Sequence, residues 1–215
     1  MPESLSHRTQ PPTRQEALYR ANLLVQAGPW CPASCTSSPY PGPKAPAAAA
    51  PSHAGTSTDM LPTAVAKVAA VEPSRLCLRI AQPRIAVAST RVELAGLTGE
   101  SLDVGSEEFD AALSTWVLCT IPDVGAALSE IRRALKPGGR LHFVEHGHAP
   151  DEQVARWQTR VEPLWKCVAG GCHLTRRITD LIEQAGFRSE ALETYYNKGE
   201  PKMFGYTYEG QATKT

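Results

Sequence analysis

The sequence predicts an α/β domain whose sheet is mostly parallel, doubly wound and closed by an antiparallel hairpin. Two observations carry this prediction: a strand, helix, turn and strand pattern between Phe109 and Glu145, and further apolar strand candidates on both sides of it. Two apolar strands joined by an amphipathic helix form a right-handed crossover, the building unit of a parallel sheet covered by helices. With 215 residues, the chain can bury one sizeable core.

The helix of this crossover is predicted to begin after Asp123, which can cap it, and to end before Pro137-Gly138-Gly139. Its apolar residues recur at spacings of three and four and therefore share one face: Val124, Ala127, Leu128, Ile131 and Leu135. Proline cannot donate the next helical hydrogen bond, and glycine accepts the positive φ of a C-terminal turn. The chain is then expected to return as a strand over residues 141–144.

Around this core the sequence predicts five further strands and three helices. The strands cover residues 23–28, 65–72, 91–95, 187–194 and 203–209, and the helices cover residues 74–80, 151–169 and 176–185. Pro83 is expected to break the first of these helices. The second should bury an apolar face that includes Trp157, Leu164 and Val168.

The domain organisation follows from a change in composition. Residues 1–59 are predicted to be a largely disordered or degenerate amino-terminal segment, because residues 28–59 are rich in proline and poor in branched aliphatic side chains. Residues 60–210 form the predicted domain, and residues 211–215 a tail. No apolar run approaches the roughly 20 residues of a membrane helix, so the chain is expected to be cytoplasmic.

The charge balance and the cysteine spacing limit the classes of binding partner that the sequence predicts. The 22 basic and 22 acidic side chains balance, so no basic excess argues for a nucleic-acid partner; the oligomeric state is not predicted. The six cysteines form no pair at zinc-finger spacing. For Cys172-His173 we favour a reduced thiol and an imidazole in a substrate loop over a metal ligand pair, so no metal is predicted.

The central pattern resembles class I S-adenosylmethionine-dependent methyltransferases. Phe109-Asp-Ala-Ala, Leu118-x-x-Ile-Pro-Asp123 and Leu135-Lys-Pro-Gly-Gly-Arg140 are similar to their fourth strand, following helix and fifth strand. Gly171-Cys-His-Leu-Thr-Arg176 is similar to the small thiol methyltransferase-like proteins, a group close to the ubiquinone and menaquinone biosynthesis methyltransferases. Over roughly residues 61–209, the resemblance implies a Rossmann-like sheet, S-adenosylmethionine as cofactor, and methyl transfer to a small-molecule acceptor.

The resemblance also implies cofactor-binding positions. They are Gly28, Gly55, Glu72, Thr98, Gly99, Glu100, Ser114 and Thr115. The glycine-rich turn after the first strand is not intact: either residues 23–28 supply the strand, with Gln26 in place of the usual acid, or Gly55 ends the motif. Glu72 stands where a carboxylate would accept hydrogen bonds from the ribose hydroxyls. Thr98 stands where the family carries an aspartate toward adenine.

The substrate pocket is expected around Trp116, Cys119, His146 and His173. Methyl transfer needs no obligatory catalytic side chain; if a base is used, His146 and His173 are the candidates, because histidine titrates near neutral pH. For Trp116 and Cys119, core packing remains an alternative. Trp116 and Trp165 would suit a quinone ring or an alkyl thiol.

Two other functions compete with the enzyme. The degenerate glycine turn, Gln26 and Thr98 would suit a methyltransferase-like remnant or binding protein with an impaired cofactor site. A nicotinamide-dependent oxidoreductase would also use Glu72, but it requires a Gly-x-Gly-x-x-Gly turn that the sequence lacks.

Overall fold

The computed structural model describes residues 23–27, 65–72, 75–88, 90–96 and 98–215, and it confirms the predicted fold class. One seven-stranded sheet has the order β3-β2-β1-β4-β5-β7-β6. Its strands are β1 (Leu23–Ala27), β2 (Lys67–Val71), β3 (Arg91–Gly96), β4 (Phe109–Thr115), β5 (Leu135–His146), β6 (Phe187–Tyr196) and β7 (Tyr206–Lys214). Strands β1 to β5 pair in parallel, whereas β7 runs antiparallel to β5 and to β6.

The described residues include four helices: α1 (Arg75–Val87), α2 (Val124–Ala134), α3 (Glu152–Val168) and α4 (Ile178–Gln184). As predicted, Asp123 caps α2, and its carboxylate accepts a hydrogen bond from the Ala126 amide at 2.9 Å. The prediction that Pro83 ends α1 is wrong, because the helix continues to Val87. Proline costs the hydrogen bond to the carbonyl four residues earlier, but its fixed φ is helical.

The main core lies between the sheet and helices α2 and α4. Leu128, Ile131 and Ala134 from α2 and Ile178 and Ile182 from α4 are buried there. They meet the inward side chains of four strands: Ala69, Val71, Phe109, Ala112, Leu141, Phe143 and Ala212. The apolar stripe that predicted α2 is therefore the stripe that packs on the sheet.

Three predicted boundaries need correction. Helix α2 ends at Ala134, and β5 begins at Leu135, so Pro137-Gly138-Gly139 lies inside the strand segment. Residues 136–139 loop out of the ladder, since Phe109 pairs with Leu135 but Ala111 pairs with Arg140. Residues 211–214 belong to β7 and are not a tail, and β1 places residues 23–27 within the sheet of the domain predicted to begin at residue 60.

Helix α3 occupies the predicted segment but does not bury the predicted face. Trp157, Leu164 and Val168 are 47%, 71% and 72% exposed. Val161 and Trp165 do pack inward, together with Phe204, against a small second cluster formed by Cys119, Ala169, Cys172 and Leu174. Helix α3 therefore covers this cluster with one narrow edge. No helix in the described part of the chain combines the length and apolar character needed to cross a bilayer.

Candidate functional site

The carboxyl ends of the five parallel strands meet at one edge of the sheet, and the sequence places its candidate residues there. Glu72 follows β2, Thr98, Gly99 and Glu100 follow β3, and Trp116 follows β4. His146 is the last residue of β5. Parallel sheets bind ligands in the crevice outside this edge, so the predicted placement agrees with the topology. Gly28 and Gly55 lie outside the described residues.

The cofactor candidates at this edge differ in their surroundings. Glu72 is buried, with 7% of its surface exposed, and Gly99 is also buried. Thr98 is exposed and forms an isolated antiparallel bridge with Ser101. Glu100 accepts a hydrogen bond from the Asp123 amide at 3.5 Å, which joins the segment after β3 to the cap of α2. Glu72 and Gly99 are thus buried, whereas Thr98 is exposed to solvent.

Glu145 forms the centre of the described site, although the sequence reasoning used it only as a strand end. The side chain is fully buried, and one carboxylate oxygen accepts the Ser114 hydroxyl at 2.9 Å and the Val117 amide at 3.0 Å. The other oxygen accepts the Cys119 amide at 3.2 Å. Burial raises the pKa of Glu145, and hydrogen bonds to the Val117 and Leu118 amides, Ser114 and the Cys119 amide oppose that rise.

These hydrogen bonds shape the loop after β4. Residues 116–121 turn back over the end of β5, and the Glu145 carboxylate accepts hydrogen bonds from the backbone amides of Val117 and Cys119. Ser114 was predicted to contact the cofactor, but its hydroxyl donates to Glu145 and its side chain is buried. In the described structure Ser114 therefore supports the loop. Thr115, the last residue of β4, is partly exposed beside it.

Trp116 and His146 form an aromatic pair at the ends of β4 and β5. Their ring centroids are 4.1 Å apart with an interplanar angle of 42°. Trp116 adopts a left-handed backbone with φ of 57°, and its amide donates to the Val144 carbonyl at 2.9 Å. A large residue rarely adopts this conformation, and strained backbone concentrates at functional sites. The turn aims the indole toward the imidazole and partly out of the core.

A second group of side chains lies beside this pair. Cys119, His146 and Cys172 bring two thiols and an imidazole together, with their Sγ and ring nitrogen atoms all within 4.8 Å of one another. The Cys172 Sγ to His146 Nδ1 distance is 3.9 Å. The contact with the Cys119 thiol lowers the pKa of Cys172, and His146 lowers it further. The same contact, with burial, raises the pKa of Cys119. Cys172 is therefore the thiol that ionises first.

His173, the neighbour of Cys172, has a different partner. Its Nδ1 atom lies 3.3 Å from Glu162 on α3, and the same carboxylate accepts the Thr175 amide at 2.8 Å and the Thr175 hydroxyl at 2.6 Å. Burial lowers the pKa of His173. Burial also raises the pKa of Glu162, but the hydrogen bonds outweigh it and the net pKa is lowered. His173 thus fastens the 169–177 loop to α3.

Arg176 completes the loop. Its guanidinium donates to the Leu118 carbonyl at 2.5 Å and to the Pro122 carbonyl at 3.3 Å, which ties the 169–177 loop to the loop after β4. Burial lowers the pKa of Arg176, while the nearby thiols of Cys119 and Cys172 and the carboxylates of Glu162 and Glu145 favour its charge.

Sequence reasoning missed Glu145, Glu162 and Arg176. For Glu145 alone the sequence offered a signal, because a carboxylate at the end of an apolar strand can indicate a site residue.

A comparison with protein families agrees with the fold. A family model described as a methyltransferase domain matches residues 52–143, which include strands β2 to β4, helix α2 and the loops between them. The match includes Gly55 but not residues 23–28, the two alternative positions of the glycine motif.

Curated relatives carry names of two kinds. The chain is 40% identical over 97 residues to the thiol S-methyltransferase TMT1B of Rattus norvegicus, 44% of this chain and 40% of that protein. It is 30% identical over 115 residues to the human thiol S-methyltransferase TMT1A, 50% of this chain and 47% of that protein. The ubiquinone/menaquinone biosynthesis C-methyltransferase UbiE of Syntrophotalea carbinolica is 31% identical over 138 residues, 63% of this chain and 54% of that protein. The chain thus matches about half or less of the length of these relatives.

Solved structures share the fold. A methyltransferase from Methanosarcina mazei, described as S-adenosylmethionine-dependent, superposes with a TM-score of 0.65 at 15% identity and covers 94% of this chain and 98% of its own. A geranyl diphosphate methyltransferase in complex with S-adenosylmethionine gives a TM-score of 0.63 at 14% identity, covering 90% of this chain and 78% of its own. At such identities the likeness shows the fold alone.

Proposed function

We propose that the chain is a class I S-adenosylmethionine-dependent methyltransferase and that it transfers the methyl group of that cofactor to a small-molecule thiol. The observation that carries the proposal is the carboxyl edge of the parallel sheet. There a buried carboxylate, a buried glycine and an indole follow three strands of the sheet, at Glu72, Gly99 and Trp116. Ligands of doubly wound sheets bind at this edge.

The described residues fit the cofactor. Glu72 lies at the end of β2 with 7% of its surface exposed, where a carboxylate can accept hydrogen bonds from two neighbouring hydroxyls of a ribose. Each hydrogen bond to a charged group contributes on the order of 1.5–3 kcal/mol. Gly99 offers a backbone without a side chain in the following loop, the position that the resemblance assigns to the adenine ring. Thr98 is exposed and supplies no carboxylate there, so Glu72 should dominate the polar recognition.

The reaction proposed is a displacement at carbon. The acceptor thiol releases its proton to solvent, and the thiolate attacks the methyl carbon. The new carbon–sulfur bond forms as the bond to the sulfonium breaks, with its electron pair returning to the cofactor sulfur. The products are a thioether and S-adenosylhomocysteine. Holding the two reactants in line can lower the barrier by roughly 7–11 kcal/mol, so the main task of the protein is alignment.

The choice of a thiol acceptor is supported by the relatives. TMT1B and TMT1A are named thiol S-methyltransferases, and UbiE is named a C-methyltransferase with lower identity to this chain than TMT1B has. Trp116 and His146 at the ends of β4 and β5 would line the acceptor side. His173 is engaged by Glu162, which favours His146 over His173 as the residue beside the reacting sulfur. The cytoplasmic location expected from the sequence stays a prediction.

The test is S-adenosylmethionine binding to the purified full-length chain by isothermal titration calorimetry, together with thioether formation from a small alkyl thiol by mass spectrometry. Wild type should bind and should form the thioether. Glu72→Ala should weaken binding about tenfold or more, because a hydrogen bond to a charged group is lost. Glu183→Ala, which removes an exposed carboxylate of α4, should bind like wild type.

Two outcomes would count against the proposal. A folded protein without measurable cofactor binding would support the alternative of a non-catalytic methyltransferase-like remnant. Equal affinity of wild type and Glu72→Ala would remove the ribose role of that carboxylate. Binding without thioether formation, but with methylation of a quinone, would move the acceptor from sulfur to carbon.

A further inference from the structure

The cluster of Cys119, His146 and Cys172 lies outside the cofactor contacts described above and combines the side chains that bind soft and borderline metal ions. Cys119 comes from the loop after β4, His146 from the end of β5, and Cys172 from the loop after α3. Residues 119 and 146 are 27 positions apart in the chain, and residues 146 and 172 are 26 apart. The three residues therefore form no local sequence motif. Only the fold brings their ligand atoms together.

We propose that Cys119, His146 and Cys172 form a three-ligand Zn²⁺ site whose fourth position receives the acceptor thiolate. Thiolate and imidazole are the ligands that zinc prefers in proteins, and a site with two cysteines, one histidine and one open position is typical of catalytic rather than structural zinc. The open fourth position depends on the thiol acceptor of the proposed function. The metal site itself depends only on the three side chains.

The distances permit a tetrahedral centre after a small adjustment. Bond lengths of about 2.3 Å to sulfur and 2.0–2.1 Å to nitrogen separate neighbouring tetrahedral ligands by roughly 3.5–3.8 Å. The Cys172 Sγ to His146 Nδ1 distance is 3.9 Å, and all three ligand atoms lie within 4.8 Å of one another. Each atom therefore needs to move by about 1 Å or less, which a side-chain rotation can provide.

The surroundings hold the ligands in place. The Cys119 amide donates to Glu145 at 3.2 Å, and Ser114 and the Val117 amide fix the same carboxylate. The imidazole of His146 packs against the Trp116 indole, which limits its rotation. Such supporting contacts orient the ligands of metal sites and are a large part of their affinity.

The charges also suit a dication. Two thiolates neutralise Zn²⁺, and the buried Glu145 carboxylate has the Arg176 guanidinium as its nearby opposite charge. The site is well enclosed, because Cys119 and Cys172 are each 1% exposed and belong to the cluster that Trp165 and Phe204 cover. Enclosure strengthens the attraction between metal and thiolates, since water screens it less.

The chemistry balances without an oxidant. Metal binding releases the protons of both cysteine thiols to solvent, and the acceptor thiol releases its proton when it binds as the fourth ligand. The bound sulfur then attacks the methyl carbon and the cofactor leaves as S-adenosylhomocysteine. A neutral thioether is a weaker ligand than a thiolate, so the product dissociates. This proposal departs from the sequence prediction of no metal, which considered Cys172 with His173 and not with His146.

Cobalt is the probe for the experiment, because Co²⁺ occupies zinc sites and reports thiolate ligands through charge-transfer absorption in the near ultraviolet. The reduced full-length protein, freed of metal by a chelator, is titrated with CoCl₂ and then with ZnCl₂. Wild type should bind one Co²⁺ with a thiolate band and a tetrahedral visible spectrum, and Zn²⁺ should displace it. Adding 2-mercaptoethanol should increase the thiolate band as the fourth position fills.

Variants distinguish the site from adventitious binding. Cys172→Ser should lose about half of the thiolate band and at least tenfold in cobalt affinity, and His146→Gln should lose affinity while keeping the band. The matched controls are Cys167→Ser, which changes an exposed thiol of α3, and His148→Gln, two residues from the ligand histidine. Both should behave like wild type. Far-ultraviolet circular dichroism shows which variants fold. If only one of Cys172→Ser and His146→Gln folds, that variant alone can be compared with the wild type.

Several results would overturn the proposal. Wild type without a thiolate band, or with a band that Cys172→Ser retains in full, would exclude the metal site. A mass two daltons lower after air exposure, restored by reductant and absent in Cys172→Ser, together with no cobalt binding by the reduced protein, would show a disulfide pair instead. A cobalt site that ignores 2-mercaptoethanol would exclude the open position. Cofactor binding by calorimetry is measured separately, so failure of this site and failure of the methyltransferase proposal are distinguishable.

Discussion

Glu145 shows how one buried carboxylate can organise a loop. A carboxylate out of water is costly unless its oxygens accept hydrogen bonds, and here the Ser114 hydroxyl and the amides of Val117 and Cys119 supply them. The cost of burial is visible in the raised pKa of Glu145. In return, the loop after β4 is fixed in the position that brings Trp116 and Cys119 to the site edge.

Glu145→Gln should lower the free energy of unfolding by about 1–3 kcal/mol. The NH2 group of glutamine would replace one carboxylate oxygen, and it cannot accept the hydrogen bond that this oxygen receives in the wild type. Ser114→Ala, which removes one donor and leaves the second bond to the same oxygen, should cost less, about 1 kcal/mol. Urea unfolding followed by circular dichroism measures both. Glu193→Gln on the exposed face of β6 is the control and should stay within about 0.5 kcal/mol of wild type. A Glu145→Gln protein as stable as wild type would contradict the role of the carboxylate.

For single residues, the sequence predicted positions at the strand ends better than it predicted hydrogen-bond partners. Glu72, Trp116 and His146 were assigned to the site edge, and the strand ends do place them there. Ser114 was assigned to the cofactor, but its hydroxyl donates to Glu145, a residue 31 positions away. Position along a strand follows from local pattern, whereas the partner of a buried polar side chain depends on contacts that local pattern does not encode.

The helix-to-strand connection after α2 is the element that departs most from expectation. Lys136-Pro137-Gly138-Gly139 bulges from the ladder between β4 and β5. A Cβ atom on Gly139 would lie 2.8 Å from the Lys136 carbonyl and 3.3 Å from the Asp110 carbonyl, and Gly138 has a φ of 73°. The motif was interpreted as a helix terminator. Its glycines instead let the strand begin early and pass close to its neighbour.

A partly exposed ion pair within helix α2, between Glu130 and Arg133, is hydrogen-bonded to the segment before β4. Glu130 accepts from Arg133 Nε at 2.8 Å and from the Leu102 amide at 2.9 Å, and Arg133 also donates to the carbonyls of Leu102 and Val104. The hydrogen bond from Arg133 lowers the pKa of Glu130, although burial opposes it. This segment follows residues 98–100, for which the sequence resemblance predicts contact with adenine, so the pair connects α2 to the candidate site.

Glu130→Gln should therefore lower the free energy of unfolding by about 1 kcal/mol near neutral pH, a modest value because both side chains are partly exposed to screening solvent. A carboxylate with a lowered folded pKa stabilises above its unfolded pKa of about 4.3, and that stabilisation is lost as pH falls through the folded value. The difference between variant and wild type should be constant from about pH 5 to 7 and shrink below about pH 4. Urea unfolding across this range measures it, with Glu183→Gln as the exposed helical control. A difference that grows on acidification would have the wrong sign.

For the elements, predictability followed the strength of the periodic pattern. Helix α2 and strands β2, β3 and β4 have clear spacing and were located to within a few residues. The face of α3 was wrong, because a helical stripe with Trp157, Leu164 and Val168 was assumed to face the core, and these residues are exposed. Amphipathic spacing predicts that a helix forms, but it does not tell whether the partner surface is wide enough to cover its apolar face.

Across the whole molecule, the antiparallel hairpin extends the parallel sheet beyond β5 and helps close its core. Strand β7 pairs with β5 on one side and β6 on the other, and Ala212 near its end is fully buried in the main core with Leu141 and Phe187. The fold class was predictable because crossover units and a hairpin are local patterns. The extent of β7 to Lys214 was not, because the last residues are polar and their pairing with β5 joins positions about 70 apart.

The same chemical change on two neighbouring strands tests this arrangement. Ala212→Asp would bury a carboxylate without a partner in the core and should cost about 3 kcal/mol or more, or prevent folding. Ala191→Asp changes an exposed position of β6 that pairs with Gln211 and should cost less than about 1 kcal/mol. Thermal and urea unfolding of the two variants, measured at the same protein concentration, give the comparison. If residues 211–215 were a tail outside the core, Ala212→Asp would be as mild as Ala191→Asp. A large difference between them would show that the hairpin folds as part of the domain that carries the site.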